Sequence, residues 1–397
     1  MDFLTAKILP HSLTATSSLA RSESMEGSRS EAIVRDLLSL AKIEVDGKHP
    51  WDIRVKDPRF YGRVLRDARL GLGESYMDGW WDCDALDQFI DRVLRAQIDA
   101  KVRGNVKILL HALKAKLFNL QAVSRAFQVG ERHYDLGNDL FRAMLDKRLN
   151  YTCGYWKDSA DLDAAQEAKL DLVCKKVGLK PGMKVLELGC GWGCFAKFAA
   201  ENYGAEVLGV TVAREQVELG MELCRGLPVE LRLQDYREMR GSYDAVISIG
   251  LMEHVGSKNY HTYMQVVDRC LKEGGTAFVH TIGGNRSNAT TDAWTTRYIF
   301  PNGVIPSIAQ LGAAMEGRFV IEDLHNFGPF YDRTLMAWHA NFAAAWEGLK
   351  DRYDERFRRM WEYYLLSSAG AFRSRRLQLW QFVMTRPGTP RPDCRFN

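Results

Sequence analysis

The sequence predicts an α/β fold: a Rossmann-like, mostly parallel sheet preceded by a smaller all-helical domain. Three observations carry that expectation. From about Asp161 onward, short apolar strand-like runs alternate with helical ones, the pattern of a parallel sheet with crossover helices. One of those runs, residues 184–188, leads directly into Gly189-Cys190-Gly191-Trp192-Gly193 and then a helix start, a strand–turn–helix unit. Before residue 132 the apolar periodicity is that of helices alone.

Residues 1–30 are rich in Ser and Thr, carry few apolar side chains after Leu9, and read as a mobile tail. Residues 31–132 read as a helical domain. It contains the stripe Ile33, Leu37, Leu38, Leu40 and Ala41, then a glycine-punctuated stretch from Leu70 to Trp81. Within it, residues 97–132 hold seven basic side chains against Asp99 and Glu131, an excess of +5. On a helix Val102, Val106, Leu109, Leu113, Leu117 and Leu120 share one face, with Lys107, His111 and Lys114 roughly opposite. A basic amphipathic helix suits an anionic bilayer surface, and the same stripe also suits docking on the core or on a second subunit. Residues 133–397 read as the catalytic domain. Its expected strands are 184–188, 206–211, 230–234, 245–250, 276–280 and 319–324, with 377–384 as an antiparallel edge strand.

The 397 residues are 46% hydrophobic and 26% charged, with a mean hydropathy of -0.27, which excludes wholesale disorder and leaves room for two cores. Against 54 basic residues stand 50 acidic ones, and the net charge of +4 is too small to imply a nucleic-acid partner. Eight cysteines are scattered without a disulfide framework or paired CxxC spacing, so a reducing cytoplasm and no metal site are expected. No run of about 18 apolar residues exists to cross a bilayer, and the first residues lack the apolar run of a signal peptide, so none is expected.

The glycine loop is compatible with a dinucleotide or with S-adenosylmethionine. The third glycine of a GxGxxG pattern is missing, since Cys194 occupies its place, which favours the S-adenosylmethionine loop formed by Gly189, Cys190, Gly191 and Gly193. At the carboxyl ends of the next two strands stand Thr211 and the pair Asp235-Tyr236, where open α/β sheets bind ligands. Asp235 can accept from an adenine amino group and Tyr236 can contact the ring. No acid ends the second strand to hold a ribose, so Gln216, which both donates and accepts, is preferred over Glu215. Both also suit an ordinary helix N-terminal turn.

Several motifs then resemble one family, the cyclopropane-fatty-acyl-phospholipid synthases. They are His133-Tyr134-Asp135-Leu136-Gly137-Asn138-Asp139, Tyr151-Thr152-Cys153-Gly154-Tyr155-Trp156, the glycine loop, Glu253-His254-Val255-Gly256, His280-Thr281-Ile282-Gly283, Tyr298-Ile299-Phe300-Pro301-Asn302-Gly303, and His325-Asn326-Phe327 with Tyr331. The resemblance implies a class I S-adenosylmethionine-dependent methyltransferase fold. The implied reaction is methylene transfer from S-adenosylmethionine to a cis double bond of a phospholipid acyl chain. The alkene attacks the sulfonium methyl, and the resulting cation loses a proton to close the ring. It also implies a bound bicarbonate as the base, held by Cys153, Glu253, His280, the backbone of Ile282 and Tyr331, with Tyr151 and Thr152 near the methionine end of the co-substrate. Thr152 stands where serine is common and Gly154 where alanine is common. An aromatic lining from Tyr155, Trp156, Tyr298 and Phe300 would suit a cationic intermediate. The resemblance further suggests a homodimer, and the basic segment at 97–132 leads to the expectation of a cytoplasmic protein peripherally associated with the inner face of the membrane. The rival readings are a lipid C-methyltransferase giving a methyl-branched product, a nucleic-acid or small-amine methyltransferase, and an inactive lipid-binding protein.

Overall fold

The structure is a computed structural model that describes residues 27–98, 137–288 and 291–396. The basic segment at 97–132 and the motif at His133 therefore lie almost entirely outside the described residues, as does the tail up to residue 26. The chain divides into two compact units, Met1–His133 and Tyr134–Asn397.

In the first unit a helix at 27–39 (α1) starts within the stretch expected to be a tail. A two-residue ladder, Arg54–Val55 (β1) against Trp81–Asp82 (β2), departs from the all-helical expectation. Between them runs Arg59–Met77 (α2), and Leu86–Arg95 (α3) follows. The glycine-punctuated stretch explains the ladder. A Cβ on Gly71 would stand 2.4 Å from the Arg63 carbonyl oxygen, so the helix can pack on itself there only without a side chain. Gly79, at φ 73°, then turns the chain back so that Trp81 enters the core. Its indole Nε1–H donates to the Ser75 hydroxyl (3.1 Å) and the Leu72 carbonyl (3.2 Å), and its ring meets Phe60, Tyr76 and Phe89.

The second unit begins with Asn138–Met144 (α4) and Leu162–Lys176 (α5), the latter capped by the Asp161 carboxylate accepting from the Ala164 N–H. The sheet and its crossovers follow: Lys184–Leu188 (β3), Cys194–Tyr203 (α6), Glu206–Thr211 (β4), Arg214–Leu223 (α7), Val229–Leu233 (β5), Tyr243–Ile249 (β6), Met252–Val255 (α8), Tyr260–Cys270 (α9) and Leu271–Gly284 (β7). Ala293–Tyr298 (α10), Ile308–Met315 (α11), Val320–Asn326 (β8), Pro329–Leu349 (α12), Glu355–Arg373 (α13) and Leu377–Thr385 (β9) complete it. The strand order is β5-β4-β3-β6-β7-β9-β8. The first five are mutually parallel, and β9 runs antiparallel to both β7 and β8.

Alternation along the strands feeds two cores, one on each face. Leu186 and Leu188 join Val246, Tyr263, Met264 and Val267 on one side, while Val185 joins Leu170, Val173, Phe195 and Ala199 on the other. The last strand is not at the edge, as the alternation at 377–384 suggested. Leu379, Trp380, Phe382, Val383 and Met384 are all buried, so β9 is apolar on both faces and needs a neighbour on each side. The edge falls to β8, whose Glu322 and Asp323 tolerate water. The paired helices α12 and α13, between β8 and β9, are the main elements for which the strand pattern carried no expectation.

Trp81→Ala should lower the unfolding free energy by about 3–5 kcal/mol, the range for truncating a buried tryptophan. Urea denaturation followed by circular dichroism measures this, and a loss under 1 kcal/mol would contradict the packing described.

Candidate active site

The loop from β3 to α6 is held by two backbone bonds, Gly189 N–H (2.9 Å) and Cys190 N–H (3.0 Å), both donated to the Val210 carbonyl. Gly189, Gly191 and Gly193 lie at φ 76°, 53° and 76°, the left-handed region. A Cβ on Gly189 would press on Leu251 and one on Gly193 on Leu231, but one on Gly191 would meet nothing within 4 Å. Gly191 therefore marks the open side of the loop. At the end of β4 the buried Thr211 hydroxyl donates to Gln216 Oε1 at 3.0 Å, which brings those two expected residues together. Glu215 is exposed in the first turn of α7. Asp235, just beyond β5, carries a contact that no motif marked. Both its oxygens are engaged by Arg237, through Nε (2.9 Å), Nη2 (2.5 Å) and the backbone N–H (2.9 Å), and this pair holds its carboxyl below the usual range. The Tyr236 ring, half-buried, leans on Tyr263.

The second group of expected residues gathers where β6 and β7 end. Glu253 is on α8, immediately after β6, and its Oε1 accepts the Ile282 N–H at 2.6 Å. Its Oε2 is buried with no partner. Burial pushes the carboxyl up to about 7, against the pull of the Ile282 and Glu253 N–H groups and of the Thr281 hydroxyl. Ile282 was expected to face an anion through its backbone, and here that N–H is given to Glu253, the nearest acceptor. Two residues earlier on the same face of β7 stands His280. Its Nδ1 lies 3.3 Å from Gln381 Nε2, its Nε2 is buried with no partner, and burial, then Lys169 and Lys176, push the imidazole well below its ordinary value. Tyr331, on the first turn of α12, stacks on Phe372 with centroids 4.5 Å apart. Burial raises its hydroxyl, with Tyr364, Cys153 and Glu253 acting in the same direction. Cys153 is fully buried, and burial pushes its thiol up. Thr334 receives the Gly154 N–H (3.1 Å) and the Trp156 indole N–H (2.9 Å), fastening residues 153–156 to α12.

The aromatic surroundings differ in detail from the expected lining. Trp156 is a core residue with its N–H spent, and Tyr298 packs on Trp294. Tyr155 meets Phe327, which in turn meets His280 at 5.8 Å. Phe300 meets Tyr364 edge-on, and the Tyr364 and Tyr151 hydroxyls are joined at 2.8 Å. Trp338 touches both Tyr151 and Tyr331. Tyr364, Phe372 and Trp338 come from α12 and α13, and no sequence motif marked them.

Sequence reasoning also missed a polar network beneath residues 150–152. The fully buried Lys169 ammonium donates to Thr152 Oγ1 (2.8 Å) and Asn150 Oδ1 (3.0 Å). Asn150 in turn donates to Asp146 through its backbone (2.7 Å) and side chain (2.8 Å). Glu187, inside the apolar run of β3, is buried near Lys169, and burial pushes its carboxyl up to about 8 while Lys169 pulls it down. The available signal was a charged residue at a core position of a strand, which has little reason to exist unpartnered.

Against known proteins, the family model described as mycolic acid cyclopropane synthetase matches residues 121–382. The chain is 52% identical over 354 residues to the cyclopropane-fatty-acyl-phospholipid synthase of Escherichia coli K12, covering 89% of this chain and 93% of that protein. It is 33% identical to the tuberculostearic acid methyltransferase of Mycobacterium tuberculosis, covering 83% and 81%. A crystal structure of a mycolic acid cyclopropane synthase complexed with SAH and CTAB superposes with a TM-score of 0.59 at 29% identity, covering 65% of this chain and 97% of that one.

The Glu187 environment has a pH signature. Its folded value of about 8 lies above the ordinary 4.5, so its neutral form is the one the fold favours. That contribution is fully present below about pH 4.5 and is lost as pH rises to about 8. The melting temperature of the wild type should therefore fall relative to Glu187→Gln across this window. A constant difference between the two proteins would refute the buried, neutral carboxyl.

Proposed function

The chain belongs to the mycolic acid cyclopropane synthetase family, and from that membership we propose how its own residues carry the reaction. The protein is an S-adenosylmethionine-dependent methyltransferase, a cyclopropane-fatty-acyl-phospholipid synthase that transfers a methylene group from S-adenosylmethionine to unsaturated phospholipid acyl chains. An alkene is a weak nucleophile, so rate depends on bringing it to the sulfonium methyl in a dry pocket. The aromatic faces of Tyr331, Tyr364, Phe300 and Trp338 suit the cation that follows. The thiol of Cys153 stays protonated and does not compete for that cation.

The proton that leaves when the ring closes needs an acceptor. The observation that carries our reading is that two buried polar atoms at the ends of β6 and β7, Glu253 Oε2 and His280 Nε2, have no partner, while Gln381 Oε1 beside the imidazole and Trp338 Nε1 beside Tyr331 are likewise unpaired. Together with the protonated Tyr331 hydroxyl they offer donors and one carboxylate acceptor, a set that fits a hydrogen carbonate ion. When bound there, bicarbonate supplies the base. Glu253 orients it through Oε2 while the Ile282 N–H holds Oε1. His280 and Tyr331 donate to the anion, and Cys153 closes the pocket. On the co-substrate side, Gly189, Cys190, Gly191 and Gly193 form the cradle, Thr211 and Gln216 meet the ribose, Asp235 and Tyr236 the adenine, and Tyr151 and Thr152 the methionine end.

Glu253→Gln should leave S-adenosylmethionine binding nearly intact and lower turnover about 10²-fold or more, the range for losing an oriented base. Because orienting the anion needs the carboxylate, and that carboxyl is pushed up to about 7, wild-type activity at fixed bicarbonate concentration should rise through about pH 7. Glu253→Gln should lack this limb. Unchanged turnover, or a limb that persists in the variant, would refute the role. Product identity is read by proton NMR through the high-field ring signal, which a methyl-branched product lacks.

Membrane association and a homodimer complete the proposal. No helix among the described residues is long and apolar enough to cross a membrane, and the excess of +5 in residues 97–132 supports peripheral binding to anionic lipid. Lys107→Glu combined with Lys114→Glu should reduce co-sedimentation with anionic vesicles, and undiminished binding would sink the membrane role of this segment.

A further inference from the structure

The site's imidazole has a neighbour that no motif marked. In the sheet, β9 lies between β7 and β8, and Gln381 is the register partner of His280 on one side and of His325 on the other. Directly opposed residues of antiparallel strands project from the same face, so the three side chains form a row with Gln381 at its centre. Gln381 and His280 are both buried, at 0% and 1% exposure. The Gln381 amide nitrogen stands 3.3 Å from His280 Nδ1. The amide nitrogen faces the ring while Gln381 Oε1 points away and is itself buried without a partner, and in this orientation the amide donates and Nδ1 accepts. A neutral imidazole carries one N–H, and with Nδ1 accepting, that proton sits on Nε2, the buried atom without a partner in the protein.

We propose that Gln381 is a positioning residue that locks His280 in the Nε2–H tautomer, so that the site presents a hydrogen-bond donor to the anion and no imidazole lone pair to the reacting carbons. This rests on the reading above in which His280 donates to bound bicarbonate. Two physical consequences follow from the tautomer. A donor at Nε2 attracts an oxyanion, whereas a lone pair there repels it. A lone pair would also be a nucleophile facing a sulfonium methyl and a carbocation, and the proton removes it. Burial and the positive charges of Lys169 and Lys176 keep the ring from charging, so the choice of tautomer is the remaining freedom, and the Gln381 amide takes it. The opposite neighbour, His325, is only partly buried and contacts Tyr155 and Phe327, while Lys176 is committed to Asp323 at 2.7 Å.

The test is long-range ¹H–¹⁵N NMR of the full-length protein labelled at histidine, without lipid or bicarbonate, with His280 assigned by its loss in His280→Gln. The wild type should show a neutral ring protonated at Nε2. Gln381→Glu places an acceptor at Nδ1 and should draw a proton there, as the Nδ1–H tautomer or as the imidazolium. In a vesicle assay both Gln381→Glu and the apolar Gln381→Met should raise the half-saturating bicarbonate concentration about tenfold or more, with KM for S-adenosylmethionine within about twofold. Gln381→Met keeps the test open if the acidic variant does not fold. A wild-type ring protonated at Nδ1, an unprotonated Nδ1 in a folded Gln381→Glu, or bicarbonate dependence unchanged in Gln381→Met would each overturn the proposal. An Nε2–H ring in an enzyme whose turnover ignores bicarbonate would instead uphold the tautomer and overturn the anion reading.

Discussion

The site depends on one hydrogen bond, from the Ile282 N–H to Glu253 Oε1 at 2.6 Å. The parallel ladder between β6 and β7 ends at the pair Ile249 and His280, where the Gly250 N–H still reaches the His280 carbonyl. Beyond that point the chain turns away from the sheet into α8, and the next β7 amide facing β6 loses its ladder acceptor. A buried N–H must be paired, and the Glu253 carboxylate takes the place of the missing strand. The same substitution holds a carboxylate in an apolar interior by one oxygen and leaves the other uncommitted. A buried carboxylate with one uncommitted oxygen follows from the geometry of a strand that stops early.

The topology supplies what that bond cannot. Insertion of β9 between β7 and β8 puts Gln381 beside His280, and the excursion of α12 and α13 between β8 and β9 brings Tyr331, Thr334, Trp338, Tyr364 and Phe372 to the same end of the sheet. α5 presents Lys169 and Lys176 seven residues apart on one face. One holds Asn150 and Thr152 and the other Asp323. The carboxyl ends of the strands thus carry buried polar groups, among which Glu253 Oε2, His280 Nε2 and Gln381 Oε1 have no partner.

Much of this was legible in the residues. The strands at 184–188 and 206–211 stand at the expected bounds because a short apolar run bounded by glycines or charges has few alternatives. The glycine loop was readable because three left-handed turns demand glycine whatever surrounds them. Glu253 was readable because a carboxylate at the end of an apolar strand invites an explanation. Trp156 was not, since an aromatic residue suits a cavity wall and a core equally. The place of β9 was also hidden: alternation of a pattern does not reveal how many neighbours a strand has.

By itself the sequence determined the α/β class, the glycine turn after β3 and the family, because these rest on local backbone demands and on motifs that persist whatever their surroundings. The tertiary structure decided that the Ile282 amide serves Glu253, that Asp235 is engaged by Arg237, that Lys169 sits beneath Thr152, and that Gln381 faces His280. The physical reason is range. Local conformational preference is written within a few residues, whereas the partner of a buried polar group is whichever chain the packing of distant elements brings within about 3 Å.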